Sequence, residues 1–188
     1  MLAQSPTVKA DPSIKPGKIL DVGCGANKKP GAIGIDRVAL PGVDVVHNIN
    51  QFPWPFESGS FDGIIMSQVV EHVEDVLKLM EEVHRVGKPG CLVEIYTPHF
   101  SSFNSWTDPT HRWHLAFRSF DLFCEGRSYD YTPVRFKLVS RNFTFGKGLL
   151  CLPGRFISAC SPEIYEKYFC FVFPAKDIEF SLQIEKPE

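Results

Sequence analysis

The apolar positions of this chain fall into short runs, interrupted by one strongly periodic stretch. Lys18-Ile19-Leu20-Asp21-Val22 is largely apolar and halts at Gly23-Cys24-Gly25, as a buried strand does on running into a tight loop. Comparable runs predict strands over 32–36, 43–47, 61–66 and 92–97, and alternation predicts two more over 136–145 and 178–184. Between the fourth and fifth, Val76, Leu79, Met80, Val83 and Val86 recur at steps of three and four, which places one apolar stripe on a helix. Glu74 and Asp75 stand near its start, where the helix dipole favours negative charge. Gly87 stands where a left-handed cap belongs, and Pro89-Gly90 blocks continuation. Ser161-Pro162-Glu163 reads as a second helix start, followed by Ile164, Tyr165, Tyr168, Phe169 and Val172 on one side, a stripe expected in the core.

Strands alternating with helical stretches predict an α/β protein with a mostly parallel sheet. At 188 residues, one domain over 18–188 is expected, preceded by a loosely ordered lead-in, 1–17, that holds Pro6, Pro12 and Pro16. Residues 99–133 lack a clean period and are rich in His, Trp, Ser and Asp, so they read as an insertion with short helices. The composition is that of a soluble globular protein, 44% hydrophobic and 22% charged. No run approaches the roughly 18 apolar residues of a membrane span, and no basic segment leads an apolar core at the start, so no membrane partner and a cytoplasmic address are expected. A net charge of −2 argues against a nucleic-acid grip. The middle segment is mildly basic, which suits either an anionic substrate or a solvated surface. The six cysteines (Cys24, Cys91, Cys124, Cys151, Cys160 and Cys170) are scattered without a C-x-x-C pair, as reduced thiols would be, and supply no zinc motif.

Open α/β sheets bind ligands beyond the carboxyl ends of their strands. The loop after the first strand, with Gly23 and Gly25, allows close backbone approach, and Asp36 closes the second strand with a carboxylate suited to a ribose diol. A nicotinamide dinucleotide is disfavoured, because Lys28 occupies the third glycine position of that fingerprint. A ligand with ribose but no phosphates fits better.

Five motifs in order then carry a family resemblance over residues 18–98. Ile19-Leu20-Asp21-Val22-Gly23-Cys24-Gly25 resembles the first motif of class I S-adenosylmethionine-dependent methyltransferases, and Gly34-Ile35-Asp36 their acidic second. Phe52-Pro53-Trp54-Pro55-Phe56 with Ser60-Phe61-Asp62 resembles their approach to the fourth strand. Val69-Val70-Glu71-His72-Val73 is similar to the start of their next helix, and His84-Arg85-Val86-Gly87-Lys88-Pro89-Gly90 to the turn that ends it. The resemblance implies a Rossmann-like seven-stranded sheet of order 3-2-1-4-5-7-6, its last strand antiparallel, with helices on both faces. It implies S-adenosylmethionine as cofactor, S-adenosylhomocysteine as product, and no metal. Gly23, Cys24 and Gly25 would line the methionine part, Asp21 would hold the loop or reach the cofactor's amino group through water, and Asp36 would take the ribose hydroxyls. Asn48 would face the adenine amino group, Ile49 would pack on the adenine, and Ser67 would face the methionine moiety.

Only ten residues separate Gly25 from Asp36, and Pro30-Gly31 falls among them, so the first helix is truncated to about one turn at most. The chain thereby resembles a subgroup of small methyltransferases with a contracted glycine-rich loop. Lys28 or Lys29 then either attracts the methionine carboxylate or is simply solvated. The implied activity is methyl transfer to an oxygen or nitrogen of a small or medium acceptor. The alternative is a catalytically silent cofactor-binding regulatory or partner protein, and a homodimer is left open. In the insertion, His111 and His99 are the candidate proton acceptors, with Asp108 orienting His111 and a helix carrying His111 and His114 on one face. Two other readings stand beside this one: the histidines tie the insertion together, or His99, Asp108, His111 and His114 ligate a metal. No compact ligand motif supports the second.

Overall fold

The computed structural model describes residues 17–124 and 131–186. Seven strands form one sheet: β1 (Ile19–Val22), β2 (Ile33–Asp36), β3 (Val45–Val46), β4 (Phe61–Ser67), β5 (Gly87–Pro98), β6 (Arg135–Thr144) and β7 (Asp177–Glu185). Their order is β3-β2-β1-β4-β5-β7-β6. The pairs from β3 across to β5 are parallel, and β7 runs antiparallel to both β5 and β6. The order and the reversed last strand are those expected. The lead-in, apart from Gly17, and residues 125–130 of the insertion lie outside the described residues.

Burial explains the sequence pattern. Central β4 buries Phe61, Gly63, Ile64, Ile65 and Met66, so it needs a nearly continuous apolar run. In β7, Ile178, Phe180, Leu182 and Ile184 enter the core, while Glu179, Ser181, Gln183 and Glu185 remain half-exposed on the other face. Helix α1 (Val76–Val86) buries Leu79, Met80, Val83 and Val86 in the same core. Asp75 caps it by accepting the Lys78 N–H at 3.1 Å. Between β1 and β2 there is no helix at all, only turns.

Three local expectations change. Gly87 is extended, with φ −76°, and opens β5 five residues ahead of the expected start. A Cβ there would overlap Ile184 Cδ1, so the position is small because β7 packs over it. The positive φ of this turn, 78°, belongs to Gly90. The third strand shrinks to two residues where the Asp44 side chain, rather than a backbone carbonyl, takes the Gly34 N–H at 2.7 Å. Ser161 does cap a helix, accepting the Ile164 N–H at 3.3 Å. However, the helix over Pro162–Ile164 widens at once into a π turn, Tyr165–Phe169. The extra residue per turn rotates the predicted stripe apart. Tyr165 is buried, whereas Ile164, Tyr168 and Val172 face outward.

The loop before β4 is locked to α1 by a buried carboxylate. Glu82 Oε1 accepts the Trp54 N–H at 2.6 Å, and both of its oxygens hold the Arg85 guanidinium at 2.6 and 2.8 Å. Arg85 also donates to the Trp54 carbonyl at 3.2 Å. Glu82→Ala leaves a buried N–H and a half-buried guanidinium without an acceptor and is expected to cost about 2–3 kcal/mol. Glu82→Gln is expected to cost less. Urea denaturation of the two variants checks the ranking.

Candidate active site

β1 ends at Val22 and the chain turns through Gly23 (φ 63°) and Gly25 (φ 52°), a region that disfavours any residue with a Cβ. The two glycines differ in surroundings. A Cβ on Gly23 would stand 2.6 Å from Val69 Cγ2, so this loop presses on the segment after β4. A Cβ on Gly25 would meet nothing within 4 Å, so the loop opens into free space there. Asp36 holds the loop from β2: Oδ2 accepts the Gly25 N–H and Oδ1 the Val38 N–H, each at 2.9 Å. Asp21 spans the loop from below by accepting the Lys29 N–H at 2.7 Å. Burial pushes its carboxyl above the usual range, against the pull of Lys29 and Lys28.

Cys24 is buried against Gly34, and burial, reinforced by Asp21 and Asp36, pushes its thiol up to about 11. Of the Cys24 atoms, the backbone is what remains to meet a ligand. Lys28 pairs with Asp44 at 2.7 Å, and Lys29 runs toward buried Glu94 on β5, 3.7 Å away. Both loop lysines therefore have protein carboxylates as partners. Asn48 Oδ1 accepts the Asn50 N–H at 3.1 Å, and the Ile49 carbonyl accepts Trp54 Nε1–H at 3.0 Å, which fixes the strip after β3. Ser67 is half-buried at the end of β4.

Next along the chain stands a second polar group, on residues 68–73. Gln68 has φ 57° and donates its N–H to the Tyr96 carbonyl at 2.8 Å, which turns the chain off the sheet into the 3-10 turn Val70–His72. Glu71 is 1% exposed. Its Oε2 accepts Thr97 Oγ1–H at 3.0 Å, while buried Oε1 takes no hydrogen bond from another described residue. Burial pushes this carboxyl up to about 7, against lowering by its own backbone N–H, Thr97 and His111. The Glu71 carbonyl accepts the Arg112 and Trp113 N–H groups at 2.7 and 3.2 Å, and the Val73 carbonyl accepts Trp113 Nε1–H at 2.8 Å. The insertion is thus docked on this turn. The His72 and His111 rings meet edge to face, with centroids 4.6 Å apart. Burial first, and then His111, holds His72 below the usual imidazole range, while Asp108 and Arg37 act on it in opposite senses.

The structure sorts the predicted histidines. His111 joins Glu71 and His72. His114 does not share a helix face with it, because residues 108–114 form a turn and irregular chain. His114 instead stacks on Trp106, with ring centroids 3.6 Å apart, and bonds Ser105 Oγ at 2.8 Å. Asp108 lies 4.0 Å from His111 Nε2, too far for a hydrogen bond, and holds Thr110 instead, by Oγ1–H and N–H at 2.7 and 2.8 Å. His99 is wholly buried, with Nδ1 2.8 Å from Ser101 Oγ and Nε2 3.0 Å from Glu166 Oε1. Glu166 also accepts the Phe117 N–H at 2.6 Å, so this ring and carboxylate clamp the insertion to the segment after the helix Leu152–Cys160. A metal set of His99, Asp108, His111 and His114 is not assembled. The residues missing from the predicted site are Glu71 and His72. Their signal was a polar, ionisable pair inside the apolar run Val69-Val70-Glu71-His72-Val73.

The two glycines give an ordered expectation. Gly25→Ala incurs only backbone strain, about 1–2 kcal/mol. Gly23→Ala adds overlap with buried Val69 and is expected to lose about 2–4 kcal/mol. Thermal melts in the absence of ligand read the order, and equal losses would show that Val69 yields.

Residues 4–129 match the family described as a methyltransferase domain. A probable S-adenosylmethionine-dependent methyltransferase of Mycolicibacterium smegmatis is 30% identical over 108 residues, 48% of this chain and 41% of that protein. The chain therefore spans about two fifths of that relative's length. The fold is shared with a SAM-dependent methyltransferase from Archaeoglobus fulgidus, at TM-score 0.65 and 18% identity over 92% of this chain and 88% of that one. It is shared also with the YcgJ protein of Bacillus subtilis, at TM-score 0.58 and 16% identity over 92% and 93%. With the family match covering the glycine loop, Asp36 and the helix after β4, the chain belongs to the class I S-adenosylmethionine-dependent methyltransferases, and S-adenosylmethionine is its cofactor.

Proposed function

We propose that the protein transfers a methyl group from S-adenosylmethionine to an oxygen or nitrogen of a small or medium acceptor held under the insertion. The observation that carries this is the contact of Gly23 with Val69. It sets the cofactor loop directly beside the turn that bears Glu71, His72 and, across from them, His111.

The residues fit the cofactor. The space above Gly25 is open, and the Asp36 carboxylate, having accepted two N–H groups, keeps lone pairs for a ribose diol. Gly23, the Cys24 backbone and Gly25 line the methionine end, and Asp21 keeps the loop in place. Asn48 and Ile49 bound the adenine end, and Ser67 faces the methionine from β4. When bound, S-adenosylmethionine supplies a methyl carbon already activated by the sulfonium. The protein's task is then alignment, exclusion of water and removal of the acceptor's proton. His111 sits where the acceptor is handled, and His99, buried between Ser101 and Glu166, is a positioning residue for the wall formed by the insertion.

Two measurements test this reading. Asp36→Ala is expected to weaken S-adenosylmethionine binding about tenfold or more by calorimetry. Asp36→Asn, which retains one acceptor oxygen for the loop, separates ligand loss from loop loss. Unchanged affinity in both would misplace the ribose. In a screen of hydroxyl and amine acceptors read by S-adenosylhomocysteine release, His111→Ala is expected to lower turnover about a hundredfold at unchanged cofactor affinity. Tight cofactor binding with no turnover on any acceptor would favour the silent partner instead.

A further inference from the structure

We propose that Glu71, His72 and His111 form a binding site for one divalent transition-metal ion, with protein donors of two imidazole nitrogens and one carboxylate oxygen. One ligand atom from each residue lies within 4.8 Å of those of the other two. Among the described residues this is the grouping of three such side chains that come together. Bonds of about 2.0–2.2 Å from a shared ion would draw the three slightly closer.

The hydrogen bonds around the rings select the ligating nitrogens. Thr110 Oγ1 donates its proton to Asp108 Oδ1 at 2.7 Å, so toward His72 Nδ1, 2.9 Å away, it is an acceptor. His72 Nδ1 therefore carries the proton and Nε2 keeps its lone pair. His111 Nδ1 faces the Ser105 carbonyl at 3.1 Å, and a carbonyl can only accept. Here too Nδ1 is the donor and Nε2 carries the lone pair. Two adjacent imidazoles are thus fixed in the same tautomer by outer partners, which is how proteins orient metal-ligating histidines. Asp108, expected from the sequence to orient His111 directly, serves His72 through Thr110.

The third donor supplies the independent argument. Glu71 Oε1 is buried without a hydrogen bond from another described residue, although Oε2 has Thr97. A carboxylate oxygen left in this condition beside two imidazoles is compensated by a cation. Nitrogen and carboxylate donors suit zinc, manganese or iron(II), rather than magnesium or calcium, which favour all-oxygen shells. Three protein ligands leave positions open, as at catalytic rather than structural metal sites. Resting on the methyl-transfer reading, the open positions are those an oxygen of the acceptor would take, so the acceptor class is a hydroxyl or enol that can ligate a cation; with both ring nitrogens engaged, His111 then acts on the acceptor as a ligand of that cation and not as the proton acceptor.

The test uses the purified full chain after dialysis against a chelator. Titration with zinc chloride alone, followed by calorimetry and by the shift in melting temperature, is expected to show one equivalent bound at micromolar affinity or tighter. Manganese is expected to bind at the same site and magnesium at least a hundredfold more weakly. Cobalt(II) is expected to give a visible ligand-field spectrum. His72→Asn and His111→Asn retain a side-chain N–H in place of Nδ1–H while deleting Nε2, so each is expected to melt like the metal-free parent. Each is expected to bind zinc at least a hundredfold more weakly, as is Glu71→Gln. Fewer than about half an equivalent bound to the parent, or parental affinity in these variants, overturns the site. S-adenosylmethionine binding measured in the same samples reports separately on the methyl-transfer reading, because ion titration does not depend on it.

Discussion

Residues 68–73 are the segment against which everything at the carboxyl end of the sheet is set. Gln68 leaves β4 in a left-handed conformation, tied by its N–H to the carbonyl of Tyr96 on β5. One residue on, Val69 occupies the space that a side chain at position 23 would need. Two residues further, Glu71 receives Thr97 on its carboxylate and Arg112 and Trp113 on its carbonyl. A single turn thus contacts the cofactor loop on one side, β5 beneath and the insertion above. Any displacement of it moves all three together, since packed interiors shift by steps rather than by smooth deformation.

That arrangement matters more here because the usual helix after the glycine loop is missing. Residues 23–32 form turns rather than a helix, and side chains share with a few backbone bonds the work of holding them. Asp21 takes one N–H from below, Asp36 takes another from the side, and the Gly23 N–H reaches the Ile35 carbonyl at 2.8 Å. Both aspartates would be read from the motif alone as cofactor contacts. The geometry gives them a prior task, keeping a short irregular loop in a conformation that two glycines permit but do not enforce. The same shortness brings Lys29 across toward Glu94, filling part of the space over the sheet that a helix would otherwise cover.

The sheet was legible in the sequence because motifs along one half of the chain carry a family resemblance that implies its order, and because its strands are apolar runs long enough to bury. Errors arose where a side chain replaced the backbone's part, as Asp44 does beside β3, or where tertiary packing set a residue's size, as β7 does at Gly87. The aromatic stripe after Ser161 failed for a different reason. A π turn changes the period on which the stripe was drawn. The cofactor loop was visible because glycine and aspartate at strand ends carry their own physical signal. The meeting of the predicted His111 with Glu71 and His72 was not, since His72 and His111 are 39 positions apart and their approach depends on the Glu71 carbonyl.

His99 and His111 illustrate why residue type alone could not divide the histidines. Both lie on the stretch after β5 and both neighbour aromatic rings, yet their partners differ in kind. His99 Nε2 meets a carboxylate oxygen, an obligate acceptor when ionised, and Nδ1 meets a serine hydroxyl that can donate. Every hydrogen-bonding position of that ring is matched within the chain. His111 has its donor matched by a carbonyl, while Nε2 stands 4.0 Å from Asp108, beyond a hydrogen bond. His72 repeats the pattern through Thr110. A partly buried ring with one nitrogen tied and no hydrogen bond from the described residues at the other keeps that nitrogen for a group from outside the chain. Two such rings beside the buried Glu71 carboxylate divide the histidines that the sequence had left together.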